Sequence, residues 1–304
     1  MRKKVLITGS NGLLGQKLVN LLSAKNAFEV IAISRGENRN GTAENYTYYS
    51  IDITNADELT QLINKIKPHY IINCAAMTNV DVCEEEKEKC DLINVEAVKT
   101  LISSAKEHSS HLIHLSTDFI FDGEDGPYKE DDEPNPLSYY GLSKLRSEEL
   151  IINSGIKHTI LRTILVYGVV DNMSRNNIVL WIKNAIENRQ EITIVDDQYR
   201  MPTFVDDLAE ACLLSIQHDA QGVFHISSSE LLSIYEMALE IADTFNLDSS
   251  FIKRIPTSQL NQAAKRPPRT GFDLEKSQKI LNFPVASFKN RLQVFKNQLL
   301  TSGS

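Results

Sequence analysis

A tyrosine and a lysine that could together move a proton stand four positions apart in this sequence. Tyr140 and Lys144 open a segment with a helical pattern, SKLRSEELII, and residues four apart on a helix lie on one face. A phenol with a pKa of about 10 transfers protons poorly at neutral pH unless its ionised form is stabilised. A lysine ammonium about 4 Å away would supply on the order of 4 kcal/mol at an effective dielectric constant of about 20, or roughly three pKa units. The pair predicts proton transfer by Tyr140, although the same spacing occurs by chance in many helices.

Thr117 is placed to assist that chemistry. The tripeptide Ser116-Thr117-Asp118 follows the apolar run LIHL, so Thr117 stands at the carboxyl end of a predicted strand. Open α/β sheets bind their ligands at this edge. The hydroxyl could orient a reacting oxygen for hydride transfer, or it could cap a turn. The occurrence of Thr117, Tyr140 and Lys144 in this order favours the first role.

The first predicted strand runs directly into a glycine-rich loop. The segment Gly9-Ser10-Asn11-Gly12-Leu13-Leu14-Gly15 stands between VLIT and a helical pattern, LLGQKLVNLL. Glycines in such a loop allow a tight turn and a close approach of the backbone to a pyrophosphate, and the helix N-terminus offers free N–H groups to the phosphates. This context predicts a dinucleotide site rather than a structural turn. The predicted contacts are Gly9, Asn11, Gly12, Leu13, Leu14 and Gly15.

The residues after the second predicted strand favour NADP(H). An acidic residue there would bind the ribose 2′-hydroxyl of NAD, but the strand VIAI runs into Ser34-Arg35. A hydroxyl and a guanidinium suit a 2′-phosphate, since arginine offers a bidentate fork to an anion. The alternatives are a solvated loop arginine and NADH as the cofactor. After the third predicted strand, Asp52 and Ile53 are the candidates for contact with the adenine ring.

Alternating strands and helices must position these residues. Short apolar runs have the composition of strands buried on both faces, with a further strand at 46–51; the runs lie at 5–7, 30–33, 70–73, 112–115 and 159–162. Segments of 3.6-residue periodicity separate them, which predicts a doubly wound parallel sheet of the Rossmann type, an α/β fold. We expect a dinucleotide-binding domain at 1–165 and a smaller C-terminal α/β substrate-binding region at 166–304, with elements that can interleave.

The whole-chain composition excludes several classes of function. The 304 residues are 42% hydrophobic and 24% charged, the balance of a globular protein in water. A net charge of −8 argues against nucleic acid and anionic membranes as partners. No apolar run approaches the roughly 20 residues needed to cross a bilayer, and the four cysteines form no C-x-x-C pair. We expect a cytoplasmic monomer or homodimer.

Three evenly spaced histidines, His108, His111 and His114, raise the question of a metal site. On one strand, positions three apart alternate between the two faces, so these side chains would not converge on an ion. We therefore expect no metal site.

Six segments together resemble the extended short-chain dehydrogenases/reductases, and within them the dTDP-4-dehydrorhamnose reductase branch. In chain order they are the glycine loop, NCAAMTNVDVCEEE at 73–86, STDFIFDG at 116–123, PYKEDDEPNPLSYYGLSK at 127–144, DDQYRMPTFVDDLA at 196–209 and KRPPRTGFDLEKSQKILNF at 265–283. The resemblance spans nearly the whole chain. The stretch from STD to YGLSK is its specific part, and the C-terminal matches are looser.

This resemblance implies a catalytic role for four residues. Tyr140 would be the general acid–base, and Lys144 would hold the nicotinamide ribose and lower the pKa of Tyr140. Thr117 would bind the reacting oxygen, and Asn94 would support the active site from behind. The implied reaction is the reduction by NADPH of the C4 ketone of a 4-keto-6-deoxy sugar nucleotide, as in dTDP-rhamnose biosynthesis.

The resemblance also implies binding roles. Ala75 and Ala76 would pass close to the cofactor, Asp118 would contact the sugar and Arg266 the substrate diphosphate. The expected ligands are thus NADPH and a small nucleotide-sugar substrate.

Two positions depart from the branch. The branch typically carries a tryptophan that packs on the sugar, and this chain has Leu165 there, which offers no aromatic platform. The branch often has an acidic residue on the first helix that helps to bind magnesium at a dimer contact, and Lys17 occupies that position. Neither the metal site nor that dimer is therefore expected.

The same resemblance leaves two other functions open. One is a sugar-nucleotide epimerase or dehydratase, although a dehydratase usually has an acidic pair where this chain has Asp118-Phe119. The other is a non-catalytic, cofactor-binding regulatory subunit, because the resemblance extends to a regulatory subunit of methionine adenosyltransferase. Thr117, Tyr140 and Lys144 are compatible with both.

Overall fold

Most strands of the chain belong to one sheet. The computed structural model describes residues 2–173 and 176–302. In chain order its strands are β1 Lys3–Thr8, β2 Phe28–Ser34, β3 Tyr46–Ser50, β4 Tyr70–Asn73, β5 His111–Thr117, β6 His158–Thr163, β7 Val166–Tyr167, β8 Ile192–Val195, β9 Tyr199–Arg200, β10 Thr203–Phe204, β11 Gly222–Ile226, β12 Leu232–Ser233 and β13 Ile252–Ile255.

Helices connect these strands. They are α1 Leu13–Ser23, α2 Ala56–Ile66, α3 Val80–Glu85, α4 Lys87–Asp91, α5 Ala97–His108, α6 Tyr139–Asn153, α7 Ile178–Glu187, α8 Val205–Gln217, α9 Ile234–Phe245, α10 Glu275–Leu281 and α11 Phe288–Ser302. A π-helical turn, Leu92–Glu96, precedes α5, and a 3₁₀ turn, Asp118–Ile120, follows β5. Among the described residues, no helix combines the length and the apolar character that a membrane span requires.

Seven of the described strands form the central sheet. Their order is β11-β6-β5-β4-β1-β2-β3, and every neighbouring pair is parallel. The order reverses between β1 and β4, which opens the crevice where open α/β sheets bind ligands. The six strands predicted in the first half of the chain all lie in this sheet, and the predicted doubly wound parallel sheet is confirmed.

The register of the sheet aligns polar residues near its carboxyl edge. Thr8 of β1 is opposite Asn73 of β4, and Asn73 is opposite His114 of β5. Residues in register across parallel strands point to the same face, because side chains alternate along each strand. These three side chains can therefore contact one another in a row.

Helices cover both faces of the sheet. On one face, α1 and α8 bury residues such as Leu18 and Leu208. On the other face, α2 and α5 bury residues such as Leu59 and Leu101. Strands covered in this way are apolar on both sides, which explains why they form continuous apolar runs in the sequence.

The chain beyond residue 165 contributes to two cores. β11 and α8 complete the central sheet and one of its hydrophobic layers. By contrast, α7, α9 and α11 enclose a separate core that includes Tyr167 and Phe288. Elements of the two predicted regions therefore interleave, and the boundary at residue 165 stays a prediction.

A buried ion pair fastens α6 to the sheet. Arg162 of β6 and Glu148 of α6 have side chains 4% and 1% exposed, with 2.8 Å between Nη2 and Oε2. The Arg162 Nε donates to the same carboxylate at 3.1 Å, and Nη1 donates to the Glu130 carbonyl oxygen at 3.1 Å. Since α6 carries Tyr140 and Lys144, this pair holds the helix that positions them.

We predict that Glu148→Gln lowers the free energy of unfolding by about 3 kcal/mol, because it leaves Arg162 as an uncompensated buried charge. Urea denaturation measures the effect. The control is Glu275→Gln, which breaks the exposed pair between Glu275 and Lys279 and should cost less than about 1 kcal/mol. Equally small losses in both variants would mean that the buried pair does not hold α6.

Candidate active site

The glycine loop forms a cradle in which backbone segments approach closely. A Cβ on Gly15 would lie 2.3 Å from the Gly9 carbonyl oxygen, and one on Gly9 would lie 2.8 Å from the Ala75 nitrogen. Side chains of the described residues leave the first turn of α1 uncapped, so its N–H groups are free to bind an anion. An open helix start beside close-packed glycines fits the pyrophosphate of a dinucleotide.

The remaining predicted residues of this loop lie around the cradle. Gly12 is exposed, and Leu13 and Leu14 are half-buried at the start of α1. Ala75 and Ala76 are half-buried after β4, and the Ala75 N–H donates to the Thr8 hydroxyl at 3.3 Å. The reversal of strand order between β1 and β4 thus brings together the two segments predicted to contact the cofactor, the glycine loop and the residues after β4.

Asn11 holds the loop that follows β2. Its Nδ2 donates to the carbonyl oxygens of Glu37 at 2.8 Å and Arg35 at 3.3 Å, and its Oδ1 accepts the Arg39 N–H at 2.9 Å. The side chain is therefore occupied in positioning residues 35–39 beside the glycine loop. This contact brings a second arginine, Arg39, into the segment where Ser34 and Arg35 were predicted to bind a 2′-phosphate.

Arg35 and Asp52 form a loose surface pair. The Arg35 Nη1 lies 3.9 Å from the Asp52 Oδ2, and the side chains are 70% and 40% exposed. Such pairs contribute little free energy, so Arg35 remains available to an anion. The side chain of Ile53 is 6% exposed and packs in the hydrophobic layer with α2.

Thr117 and Tyr140 meet where α6 begins. A Cβ on Gly141 would lie 2.1 Å from the Phe119 carbonyl oxygen, so only glycine lets α6 start this close to the turn after β5. The rings of Tyr140 and Phe119 make an edge contact with centroids 5.9 Å apart. Thr117 lowers the pKa of the Tyr140 hydroxyl, so the two side chains lie close together. The fold therefore joins two residues predicted to act on the same oxygen.

Lys144 ends a buried row of polar side chains. Its Nζ lies 2.9 Å from His114 Nε2, and His114 Nδ1 lies 3.0 Å from Asn73 Nδ2. The Asn73 Oδ1 accepts the Thr8 hydroxyl proton at 2.6 Å. The row connects α6 through β5 and β4 to β1, and Thr8 in turn accepts the Ala75 N–H.

Burial shifts the pKa values of both Tyr140 and Lys144. Burial raises the pKa of Tyr140, and the hydrogen bond from Thr117 lowers it by less. Burial also lowers the pKa of Lys144 to about 8. In this structure the Lys144 amine contacts His114, and the lowering of the Tyr140 pKa by Lys144 stays a prediction. Tyr140 is consequently protonated at neutral pH, as a proton donor must be.

Asn94 lies behind the acid–base residues, within the π-helical turn. Its Oδ1 accepts the Met77 N–H at 2.8 Å, and its Nδ2 donates to the Ser143 hydroxyl at 2.9 Å and the Met77 carbonyl at 3.0 Å. Asn94 is 1% exposed. It therefore ties the segment after β4 to α6, between Tyr140 and Lys144. π-Helical turns are frequent at functional sites.

The two predicted substrate contacts have partners inside the protein. Asp118 is 2% exposed and accepts a hydrogen bond from Thr270. Arg266 makes a two-pronged ion pair with Asp81, with its Nη2 2.6 Å from Oδ2. Contact of either residue with a substrate stays a prediction.

The two positions that depart from the resembled branch have structural roles here. Leu165 has a φ of +43°, a conformation that branched side chains rarely adopt, and it packs between two hydrophobic clusters. Lys17 forms a 3.0 Å ion pair with Asp206 and so joins α1 to α8.

The three histidines lie on two different elements. His108 is the last residue of α5, where a basic side chain favours the negative end of the helix dipole, whereas His111 and His114 lie in β5. His114 was considered only as a metal ligand, and its contact with Lys144 was missed. Arg200 and Thr270, which surround Asp118, were also missed. A buried carboxylate directly after a strand requires such partners, and that requirement was the available signal.

Comparisons with known proteins identify a matching family and several similar proteins. The family model described as the RmlD substrate binding domain matches residues 2–301. The chain is 32% identical over 283 residues to methionine adenosyltransferase 2 subunit beta of Xenopus tropicalis, covering 91% of this chain and 82% of that protein. It is 32% identical over 303 residues to dTDP-4-dehydrorhamnose reductase of Aggregatibacter actinomycetemcomitans, covering 95% and 97%.

Two solved structures match nearly the whole chain. A dTDP-4-dehydrorhamnose reductase from Clostridium acetobutylicum has a TM-score of 0.87 and 32% identity, covering 98% of this chain and 99% of that one. A dTDP-4-dehydrorhamnose reductase from Bacillus anthracis, solved in complex with NADP, has a TM-score of 0.85 and 28% identity, covering 98% and 100%.

Gly15→Ala should weaken the binding of NADPH at least about tenfold, a change of about 1.4 kcal/mol. The reason is that the new methyl group would lie 2.3 Å from the Gly9 carbonyl and force the cradle open. Titration followed by NADPH fluorescence measures the affinity. Gly41→Ala is the control, since its Cβ would meet the Asp171 carboxylate at 3.6 Å, an ordinary contact. Unchanged affinity in Gly15→Ala would exclude the loop as the pyrophosphate site.

Lys144→Met should raise the stability of the protein alone at pH 7, by up to about 3 kcal/mol for a pKa lowered from 10.5 to about 8. Between these two values the unfolded chain binds the lysine proton more tightly than the folded one. Between pH 8 and pH 10.5 the free energy of unfolding of the native protein therefore rises with pH. The stability difference between the native protein and the Lys144→Met variant becomes smaller over this range. Urea denaturation at several pH values measures it, with the exposed Lys253→Met as control. A difference independent of pH would show that burial does not shift the pKa of Lys144.

Proposed function

The chain belongs to the RmlD substrate binding domain family, and we propose that it is an NADP(H)-dependent reductase of a 4-keto-6-deoxy sugar nucleotide. The observation that carries this proposal is the close packing of the start of α6, which bears Tyr140, against the turn that follows Thr117 at the carboxyl edge of the sheet. Reduction of a ketone needs a proton donor where the cofactor supplies hydride. Tyr140, whose pKa burial raises, is that donor.

The cofactor would be held along the switch point. The cradle around Gly9 and Gly15 suits the pyrophosphate, and Ser34 and Arg35 suit a 2′-phosphate. The relative from Bacillus anthracis in complex with NADP supports this choice. When bound, NADPH supplies a hydride for the carbonyl carbon of the substrate.

The protein's own residues complete the reduction. The Tyr140 hydroxyl gives its proton to the carbonyl oxygen as that oxygen gains negative charge, and the product is an alcohol. Thr117 holds the same oxygen in place once its hydroxyl proton turns from Asp118 to that oxygen. Asn94 keeps the start of α6 against the segment after β4. Lys144, anchored by His114, is positioned to bind the nicotinamide ribose. Proton transfer of this kind contributes about 10²–10⁴-fold to rates.

The substrate would lie between the turn after β5 and the C-terminal region. Asp118 would contact the sugar, and Arg266, on the loop that precedes α10, would contact the diphosphate. The dTDP-4-dehydrorhamnose reductases among the relatives support a deoxysugar nucleotide. Leu165 leaves the sugar an apolar rather than an aromatic neighbour.

The second candidate is a cofactor-binding subunit of a larger enzyme. The 32% identity with methionine adenosyltransferase 2 subunit beta favours it. In that case the chain would bind NADP(H) and a partner protein without turnover of a keto sugar. Retention of Thr117, Tyr140 and Lys144 does not distinguish the candidates, but steady-state oxidation of NADPH does.

We expect the protein to oxidise NADPH in the presence of a dTDP-4-keto-6-deoxyhexose, with absorbance at 340 nm as the readout. Tyr140→Phe removes the donated proton and should lower kcat about 10²–10⁴-fold while it preserves NADPH affinity. Tyr139→Phe is the control, since this neighbour loses only a hydrogen bond to Asp91 and should keep its turnover.

The results separate the two candidates. Turnover that collapses in Tyr140→Phe and persists in Tyr139→Phe supports the reductase. Tight binding of NADPH by the wild type with no oxidation across several keto-sugar nucleotides would overturn the reductase and leave the cofactor-binding subunit.

A further inference from the structure

Arg200 is a buried cation that joins three parts of the chain. It lies in β9 and is 3% exposed. Its Nη1 donates to the Tyr199 carbonyl at 2.7 Å and its Nη2 donates to the Pro267 carbonyl at 2.8 Å. Its Nε lies 3.8 Å from the Asp118 Oδ2, and its guanidinium lies over the Phe119 ring at 5.8 Å. One side chain thus connects β9, the loop at 267–268 and the turn after β5.

Asp118 is the anion that this cation faces. Thr270, which is fully buried, donates its hydroxyl proton to the Asp118 Oδ2. The other oxygen, Oδ1, accepts the Thr117 hydroxyl proton at 3.1 Å. Each of these contacts uses the carboxylate as an acceptor, which is the role of the ionised form.

The Thr117 hydroxyl both accepts and donates a hydrogen bond. It accepts the Phe119 N–H at 3.2 Å and donates its only proton to Asp118. The Tyr140 hydroxyl lies beside it, and Thr117 lowers the pKa of Tyr140. A protonated Asp118 would instead donate to Thr117 and turn the Thr117 proton away from Asp118. The charge on Asp118 therefore decides how the Thr117 hydroxyl is oriented toward the proton donor.

We propose that Arg200 is a positioning residue, which holds Asp118 as a carboxylate and through Asp118 fixes the Thr117 hydroxyl beside Tyr140. Its catalytic consequence rests on the proposed reductase function, whereas its effect on the charge of Asp118 does not. The Arg200 side chain also holds the loop at 267–268, which is next to Arg266. Arg200 therefore contacts both the segment expected to bind the diphosphate and the turn that bears Asp118.

The direction of the charge effect follows from the groups around Asp118. Burial is the largest influence and raises the pKa of Asp118, while Arg200 is the largest opposing one and lowers it. The hydroxyls of Thr270 and Thr117 lower it further, and Tyr140 faces it as a neutral phenol. Arg266 lowers the pKa of Arg200. Removing Arg200 therefore raises the pKa of Asp118 and protonates it over a wider range of pH.

The first test compares kcat across about pH 5 to pH 9 for four single variants of the full chain. Arg200→Met should lower kcat about 100-fold at the acid end, the scale of a misplaced reacting group, and recover as Asp118 ionises with rising pH. Arg200→Lys keeps the charge, so it should show a smaller loss and a profile parallel to the wild type. Thr270→Val should show a weaker form of the Arg200→Met profile.

The matched control is Arg162→Met. Arg162 is an equally buried arginine with a carboxylate partner, but its partner, Glu148, does not contact Thr117 or Tyr140. Its loss should lower stability, and any change in the profile would come from Glu148 acting on Lys144 rather than from Asp118. Parallel profiles for Arg200→Met, Thr270→Val, Arg162→Met and the wild type would overturn the positioning role.

A second test does not depend on catalysis. The effect of Asp118→Asn on the free energy of unfolding is measured by urea denaturation against pH, with and without Arg200→Met. A carboxyl whose folded pKa lies above its unfolded value binds its proton more tightly when folded, so its contribution to stability falls as pH rises through that interval. This fall should be steeper in the Arg200→Met background than in the wild type. Equal slopes would show that Arg200 does not control the charge of Asp118.

Negative results in the two tests would overturn different proposals. A wild type without reductase activity would overturn the proposed function, and the denaturation test would still decide whether Arg200 holds Asp118 ionised. An active wild type with parallel profiles would overturn the positioning role alone.

Discussion

A row of buried polar side chains beneath the carboxyl edge of the sheet sets the geometry of the whole site. Thr8, Asn73, His114 and Lys144 are each at most 2% exposed, so each must find its hydrogen-bond partner inside the protein. They stand on β1, β4, β5 and α6. A displacement of any one element would leave a buried group unpaired, at a cost of about 1–3 kcal/mol. The distance from the glycine loop to the acid–base helix is thus set by hydrogen bonds as well as by packing.

Local patterns predict the scaffold better than they predict the contacts within it. Strands buried on both faces are restricted to apolar residues, so the central sheet could be predicted from short runs. The spacing of Tyr140 and Lys144 predicts a shared helix face, but it does not choose the rotamer that directs the lysine to His114. Thr270 could not be found in this way, because it meets Asp118 across 152 residues of sequence. Contacts of that kind depend on the tertiary fold.

The reacting end of the site belongs to both parts of the chain. A small cluster that includes Ile120, Phe121, Ile164, Met201 and Phe272 packs the turn after β5 against segments from the C-terminal region. The loop that carries Arg266 and the turn that carries Asp118 therefore move as one unit if either moves. This coupling suits a reductase that must align a substrate with its cofactor. It equally suits a subunit whose affinity for a partner protein depends on whether the cofactor is bound.

The position of β11 at the outer edge of the sheet has a consequence for biosynthesis. Until residue 226 has left the ribosome, β6 has an unpaired edge, and until residue 217 has left it, α8 cannot cover the face that it shares with α1. Open strand edges and uncovered apolar faces are the features that lead to aggregation. The nucleotide-binding half therefore cannot mature ahead of the half that follows it. A chain interrupted before that point would keep the β6 edge unpaired.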